Sequence, residues 1–295
     1  MIYLHRLCRV YLGCASALMV LLSVMPQHAS AEVPVLGRWQ DFAYSEEAVN
    51  EAAAAAYFSR LATLEQQSQL DDDAQVLERV RRLGPPLVRE ALELKPAARR
   101  WNWELHTTSA ANETAFSMAG GKLLFSSSLI RRLELRDGEL ATLIAHEIAH
   151  TIAEHQREAY SQVFFRNAAS TPLSVSTAMA SLDTNWSLQI ELARLSGIQE
   201  SEADQLGMTL AHSAGWDTAG MVSFYRKLSA EGDSVLGWGY PAAKARVRMA
   251  EIFAIWFPGS ANSSTPGPHD TGDPNTPIHF QVAFKEVHDF QKSTP

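Results

Sequence analysis

The chain has 295 residues, of which 46% are hydrophobic and 20% charged, a composition typical of globular proteins. Its 33 acidic and 25 basic side chains give a formal net charge of −8. Because it is acidic and has no dense stripe of Lys and Arg, we expect no nucleic-acid partner.

The N-terminal residues have the order of a signal peptide. Arg6 and Arg9 precede a mostly apolar run from Val10 to Val24, and Ala29-Ser30-Ala31 supplies small residues for cleavage before Glu32. The run is shorter than the roughly 20 residues that a membrane span needs, which disfavours a retained anchor. We therefore predict a signal peptide at 1–31, export to the periplasm, and no transmembrane span after cleavage.

Cleavage changes what remains for chemistry. Cys8 and Cys14 lie within the predicted signal peptide, so the mature chain contains no cysteine. Any metal site must then use His, Asp and Glu. Removal of Arg6 and Arg9 leaves 23 basic against 33 acidic side chains, a net charge of −10.

Helical spacing of apolar residues predicts a first helix over Ser45–Gln67, with Ser45 as N-cap. Asp71-Asp72-Asp73 opens a second helix, which Gly84-Pro85-Pro86 is expected to interrupt, and Leu87–Leu94 is expected to form a further helix.

Three short strands are predicted next. Trp101–Thr107 alternates and is aromatic-rich, whereas Thr114–Met118 and Lys122–Phe125 flank Ala119-Gly120-Gly121, where the glycines favour a tight hairpin turn. Ser126–Leu135 is predicted to be a short helix.

The strongest helical pattern runs from Glu139 to Glu158, with Asp137 as a plausible cap. The sequence predicts neither helix nor strand for Ala168–Ser181. The segment 168–196 lies between the candidate metal ligands described below, where a lid over the cleft is one hypothesis. Further helices are predicted at Leu188–Ser196, Glu200–Ser213, Asp217–Ala230 and Ala242–Trp256. Ser, Pro, Gly, Asn and Thr dominate after Pro258, which predicts a main domain at 32–258 and a flexible tail at 259–295.

The sequence His146-Glu147-Ile148-Ala149-His150 carries the chemistry. Residues four apart share a helix face, so His146 and His150 can bind one metal ion, and Glu147 can reach a water bound to it. The five-residue pattern also occurs by chance, on surface helices that bind no metal. Its position within the strongest apolar helix favours a metal site.

A third ligand needs separate support. His155 is close, but the metzincin pattern requires Gly at 153 and His at 156, where this chain has Ala153 and Gln156. Glu200 and Asp204 are four residues apart on a second predicted helix and share a face, so that one carboxylate can bind metal while the other orients a ligand imidazole. Glu202 projects elsewhere, and an acidic helix N-terminus favoured by the helix dipole is the alternative interpretation of Glu202 and, with less weight, of Glu200.

Three features in order give a resemblance to the M48 metallopeptidases. They are Asn112 to Phe125 with its Gly-Gly turn, the His146–His150 motif after Glu139-Leu140-Ala141, and Glu200 to Asp204. The resemblance covers roughly Asp71 to Ile255. It implies an α+β, mainly helical zincin-like (gluzincin) domain with a small β-sheet at the cleft edge. It also implies one zinc ion per chain.

The resemblance assigns further roles. It implies Glu200 as third metal ligand, Asp204 as its supporting carboxylate, and the strand near Lys122–Ser126 as an edge of the cleft that binds extended polypeptides. Relatives carry a His-Pro pair with Arg five residues after the Pro. Pro241 and Arg246 match that spacing, but Tyr240 replaces the His.

Tyr240 and Arg246 are therefore weaker catalytic candidates. Tyr240 either donates to a developing oxyanion or packs as a half-buried aromatic. Arg246 either pairs with a site carboxylate or caps a helix face.

These assignments predict an exported zinc endopeptidase with Glu147 as general base. Its expected substrates are unfolded or misassembled envelope proteins, and outer-membrane assembly factors are possible partners. Two alternatives stay open: a zinc-bearing chaperone or adaptor with slow or gated proteolysis, and a helical structural protein without metal.

Overall fold

The computed structural model describes residues 29–33, 37–111, 114–167, 172–231 and 241–258. The helices are α1 (Glu46–Gln66), α2 (Ala74–Leu94), α3 (Ser127–Arg132), α4 (Asp137–Ile152), α5 (His155–Arg166), α6 (Val175–Thr184), α7 (Trp186–Ser213), α8 (Thr218–Ala230) and α9 (Ala243–Trp256), with a 3-10 turn at Pro96–Arg100. The strands are β1 (Ala29–Val33), β2 (Arg38–Phe42), β3 (Glu104–Thr108), β4 (Ala115–Met118) and β5 (Lys122–Ser126). This mainly helical α+β architecture confirms the predicted fold class. The predicted tail at 259–295 lies outside the described residues.

The strands form two small sheets. β1 and β2 pair antiparallel, and the predicted cleavage position before Glu32 falls within β1. In the second sheet the order is β3-β5-β4, with β3 parallel and β4 antiparallel to β5. The predicted hairpin is present, and Gly120 and Gly121 both have positive φ angles, near 77° and 79°, which glycine adopts without strain.

The sheet order corrects one expectation. β5, the strand at Lys122–Ser126, is fully buried between its two neighbours, so it does not form an exposed edge of the cleft. β3 and β4 are the two edge strands, and β4 packs beside α4. Sequence spacing marks strands but does not tell which of them lies in the middle of a sheet.

Gly84-Pro85-Pro86 does not interrupt the second helix, contrary to prediction, and α2 runs through it. Pro85 is exposed, and the carbonyls of Arg81 and Arg82, which lose their intrahelical donors, belong to exposed residues that water can reach. Gly84 faces the core instead, where a Cβ atom would collide with the Leu105 side chain on β3.

The predicted helix from Glu139 to Glu158 is wrong beyond Ile152, because the chain turns and restarts as α5. Glu154 has a φ of 55°, a left-handed conformation that costs about 1–2 kcal/mol for a residue other than glycine. Its carboxylate pairs with Lys95 and with Arg157, which holds the turn in place. At the other end Asp137 is the first helical residue, and Arg136 is the N-cap.

The two helices predicted at Leu188–Ser196 and Glu200–Ser213 are one continuous helix, α7. It packs against α4 along an extensive contact that passes through Gly207. A Cβ atom at Gly207 would lie 2.8 Å from both Cα and N of His146. Glycine therefore lets the two backbones approach closely beside the metal-binding motif.

No helix within the described part of the chain combines the length and apolarity that crossing a membrane requires.

The close approach at Gly207 gives a first prediction. We expect Gly207→Ala to lower the free energy of unfolding by about 1–3 kcal/mol, since the new methyl overpacks against backbone that has no room to move. Urea denaturation with a chelator present measures this loss. Gly138→Ala on α4 is the matched control, because its Cβ meets nothing closer than 3.6 Å. Equal stability of the two variants would contradict the close contact.

Candidate metal centre

α4 and α7 bring three predicted ligands together. His146 and His150 lie one turn apart on α4, and their Nε2 atoms are 3.1 Å apart. The Glu200 carboxylate on α7 places Oε2 3.4 Å from His146 Nε2 and Oε1 3.3 Å from His150 Nε2. His146 and Glu200 are buried, whereas the His150 side chain is 17% exposed, so the centre opens to solvent beside His150.

The donor set fits a divalent ion. Tetrahedral coordination with bonds of about 2.0–2.2 Å places neighbouring donors about 3.3–3.6 Å apart, close to the separations of these three side chains. Glu200 Oε2 is also buried without a hydrogen-bond partner. A buried anionic oxygen without a partner is costly, and a bound cation would remove that cost.

Asp204 lies directly behind His146. Its Oδ1 is 3.0 Å from His146 Nδ1, close enough for strong attraction, although the approach angle is not that of a formed hydrogen bond. Arg246 on α9 donates to both Asp204 oxygens at 2.7 and 2.5 Å, and the Tyr225 hydroxyl donates to Oδ1 at 2.8 Å. Burial alone would raise the pKa of Asp204, but Arg246 and His146 hold that pKa below its usual range. The carboxylate is thus fixed as an anion facing His146.

Without metal, Asp204 and Glu200 stabilise the protonated form of His146. Burial disfavours the charged form of His146, but Asp204 and Glu200 outweigh this effect and raise the pKa of His146 to about 10. Burial would likewise raise the pKa of Glu200, yet His150 and His146 keep that pKa well below its ordinary value. A proton and a metal ion therefore compete for the His146 imidazole.

A second histidine supports His150. His155 Nδ1 lies 2.9 Å from His150 Nδ1, and His155 Nε2 lies 3.2 Å from Glu202 Oε2. His155 thus contacts a candidate ligand without joining the candidate metal-binding group. Burial lowers the pKa of His155 to about 4, despite the nearby carboxylate of Glu202.

Glu202 corrects an interpretation made from sequence. α7 begins at Trp186, so Glu202 is not at a helix N-terminus and the helix dipole does not explain it. It pairs instead with His155 and with Arg38 on β2. Neither contact has a signal in local spacing, because β2, α5 and α7 are distant in sequence.

The other predicted site residues are placed as follows. Glu147 is buried on α4, next to the first ligand. Arg246 is buried against Asp204, and its Nη2 is 3.9 Å from Glu200 Oε2, which favours pairing with a site carboxylate over capping a helix. Tyr240 lies outside the described residues. Tyr225 was not singled out from sequence, since an isolated tyrosine carries no motif.

Comparison with known proteins shows a match to a peptidase family over more than half of the chain. A profile described as Peptidase family M48 matches residues 76–257. The mitochondrial metalloendopeptidase OMA1 of Schizosaccharomyces pombe is 30% identical over 199 residues, covering 63% of this chain and 55% of that protein. OMA1 of Arabidopsis thaliana is 28% identical over 151 residues, or 50% and 31% of the two chains.

A bacterial relative is similar over a shorter stretch. The beta-barrel assembly-enhancing protease of Yersinia pestis is 30% identical over 130 residues, covering 39% of this chain and 26% of that protein. The chain thus spans between about a quarter and just over half the length of these three relatives.

The raised pKa of His146 predicts that metal binding releases a proton. Because the metal needs the Nε2 lone pair, Zn²⁺ should displace at least about one proton per ion at pH 7, and its apparent affinity should rise up to about tenfold per pH unit below the pKa of about 10. Calorimetry in buffers of different ionisation enthalpy measures the released protons. Asp204→Asn should reduce the release by lowering that pKa, and binding without proton release would contradict the assignment.

Proposed function

The chain belongs to peptidase family M48, whose members are metalloendopeptidases, and we propose that it is itself a zinc-dependent endopeptidase. One observation carries the proposal. Two imidazoles on one helix turn and a buried carboxylate on the neighbouring helix face each other at donor separations of 3.1–3.4 Å.

Zinc is the metal that best suits these ligands. Two His and one carboxylate, with a further position left for water, are a donor set of catalytic zinc sites. We assign one zinc ion per chain, held by His146, His150 and Glu200. Bound there, zinc would supply a Lewis acid for a substrate carbonyl and would lower the pKa of a bound water toward about 7.

The protein's own groups divide the remaining work. Glu147 adjoins the first ligand and takes the proton from the attacking water, then delivers it to the leaving amine. Asp204, fixed by Arg246 and Tyr225, orients the His146 imidazole. In this proposal Arg246 acts through Asp204 and is a positioning residue.

β4 offers the edge on which an extended polypeptide would bind. Thr114 O accepts from Ser126 N of β5. Ser117 O faces away from β5 instead and accepts from the Gln156 side chain at 3.0 Å. Gln156 also accepts from Ala119 N at 2.8 Å, so its amide covers the end of the edge next to the turn. At the start of β4, Ala115 O accepts from the exposed Thr114 hydroxyl at 3.3 Å, which a substrate N–H would replace in main-chain pairing that tolerates many substrate sequences.

The proposal includes a cellular location and a class of substrates. The predicted signal peptide supports a periplasmic enzyme. Similarity to a bacterial beta-barrel assembly-enhancing protease supports a role on unfolded or misassembled envelope proteins, with outer-membrane assembly factors as partners.

Glu147→Gln tests the proposed activity. It keeps the shape of the side chain and removes the base, so cleavage of unfolded casein should fall by about 10²–10⁴-fold while zinc content stays at one per chain. Glu78→Gln on the exposed face of α2 is the matched control and should cleave like wild type.

Near-wild-type proteolysis by Glu147→Gln would overturn the role of the base. Full function of this variant in cells, without proteolysis, would favour the zinc-bearing chaperone or adaptor. Absence of zinc from wild-type protein purified without chelators would favour a structural protein.

A separate measurement tests export. The protein recovered from the periplasm should have the mass of a chain that begins at Glu32, because signal peptidase reads the small residues Ala29 and Ala31. Replacing both by bulky residues should leave the longer precursor in the membrane fraction. An uncleaved chain in the cytoplasm would contradict the proposed location.

A further inference from the structure

His155 is held between a candidate metal ligand and a carboxylate. It is 2% exposed, and its ring meets the His150 ring nearly edge-on, with centroids 4.9 Å apart. One ring nitrogen faces His150 Nδ1 at 2.9 Å and the other faces Glu202 Oε2 at 3.2 Å. Both polar atoms of a buried imidazole are therefore engaged, one toward the metal centre and one away from it.

The positions of the protons follow from metal binding. His150 binds a metal through the Nε2 lone pair, so its Nδ1 carries a proton and donates. His155 Nδ1 must then accept, which places the His155 proton on Nε2, where it donates to Glu202. The hydrogen bonds therefore all point away from the metal: His150 donates to His155, and His155 donates to Glu202.

Glu202 is in turn held by Arg38 of β2. The Arg38 guanidinium donates to both Glu202 oxygens, and also to Glu158 at 2.5 and 2.7 Å. Gln40 and Gln199 add hydrogen bonds to Glu158 at 2.9 and 2.8 Å. A single guanidinium thus compensates two largely buried carboxylates, which without it would repel each other and lose their orientation.

Arg38 and Gln40 precede residues 76–257, the part of the chain that the family profile matches. The strand that supplies them belongs to the small β1–β2 sheet, and it packs on α5. The support behind His150 therefore comes partly from a segment outside the matched peptidase region.

We propose that His155, Glu202 and Arg38 position His150 for metal binding, and that β2 is thereby a working part of the metal centre. This arrangement resembles the one formed by Asp204 and Arg246 behind His146: a polar group faces Nδ1 of each ligand imidazole, at 2.9 Å for His150 and 3.0 Å for His146, and each arrangement ends on an arginine. The inference rests on the proposed metal site and adds residues outside the His146–His150 motif, one of which, Arg38, precedes the matched region.

His155 variants give the main test, with metal affinity as the readout. His155→Leu removes the acceptor for His150 Nδ1, so affinity for Zn²⁺, measured by competition with a chromophoric chelator, should fall about 10–100-fold. His155→Gln retains an acceptor and a donor in one side chain and should recover most of this loss. The visible absorption of Co²⁺-loaded protein should differ from wild type in His155→Leu and resemble it in His155→Gln.

A matched control separates positioning from folding. His106→Leu removes another histidine–carboxylate contact, with Asp71 at 2.7 Å, and should leave Zn²⁺ affinity and the Co²⁺ spectrum unchanged even where it lowers the melting temperature of the metal-free protein. Arg38→Met extends the test to β2 and should weaken Zn²⁺ binding. If Arg38→Met fails to fold, the double variant Arg38→Met with Glu158→Gln removes the excess charge and should show the same weakening.

The outcomes distinguish this inference from the proposed function. Wild-type affinity and an unchanged Co²⁺ spectrum in His155→Leu would overturn the relay while leaving the peptidase assignment intact. Equal losses in His155→Leu and His155→Gln would also overturn it, since a merely structural role does not depend on a hydrogen-bond acceptor. Wild-type protein that binds no Zn²⁺ would overturn both.

Discussion

The contact between α4 and α7 is the constraint on which the rest of the structure depends. Because Gly207 has no side chain, the backbone of α7 reaches the backbone of His146 directly. One turn before Gly207 stands Asp204, and another turn before that stands Glu200, so a single close crossing places both carboxylates against the histidines of α4. A larger residue at the crossing would separate the helices and move the ligands apart.

That crossing brings several buried carboxylates close together, and groups on the surrounding elements compensate part of their charge. Five carboxylates lie behind or within the centre, namely Glu147, Glu158, Glu200, Glu202 and Asp204, and two guanidinium groups, Arg38 and Arg246, face four of them. The excess of negative charge favours a bound cation. In its absence, a proton on His146 takes over part of that role, which is the physical cause of the raised pKa of His146.

The compensating groups come from segments that are distant in sequence, which explains why those segments pack around the metal centre. α9 supplies Arg246 and α8 supplies Tyr225, both to Asp204, whereas β2 supplies Arg38 to Glu202 and Glu158. Packed apolar residues on these elements hold the charged groups in fixed positions, because interiors are dense and deform little. The centre remains open beside His150, where an extended substrate would approach the proposed catalytic base.

The sequence by itself determined the chemistry of α4, whereas the fold class was predicted from the family resemblance. The spacing of His146, Glu147 and His150, with apolar residues on the buried side, is local information, since helix geometry alone places the two imidazoles on one face. Glu200 and Asp204 also share a face by spacing, but singling them out among 33 acids required the family resemblance.

Only the tertiary structure decided what surrounds these residues. β4 lies at an edge of its sheet, and α2 continues through Pro85 and Pro86. The left-handed turn at Glu154 places His155 against His150. It also brought Arg38 to Glu202 across 164 positions. Local propensity describes neighbours a few residues apart, whereas pairing of buried charges is settled by which elements pack together, and no spacing rule reaches that far.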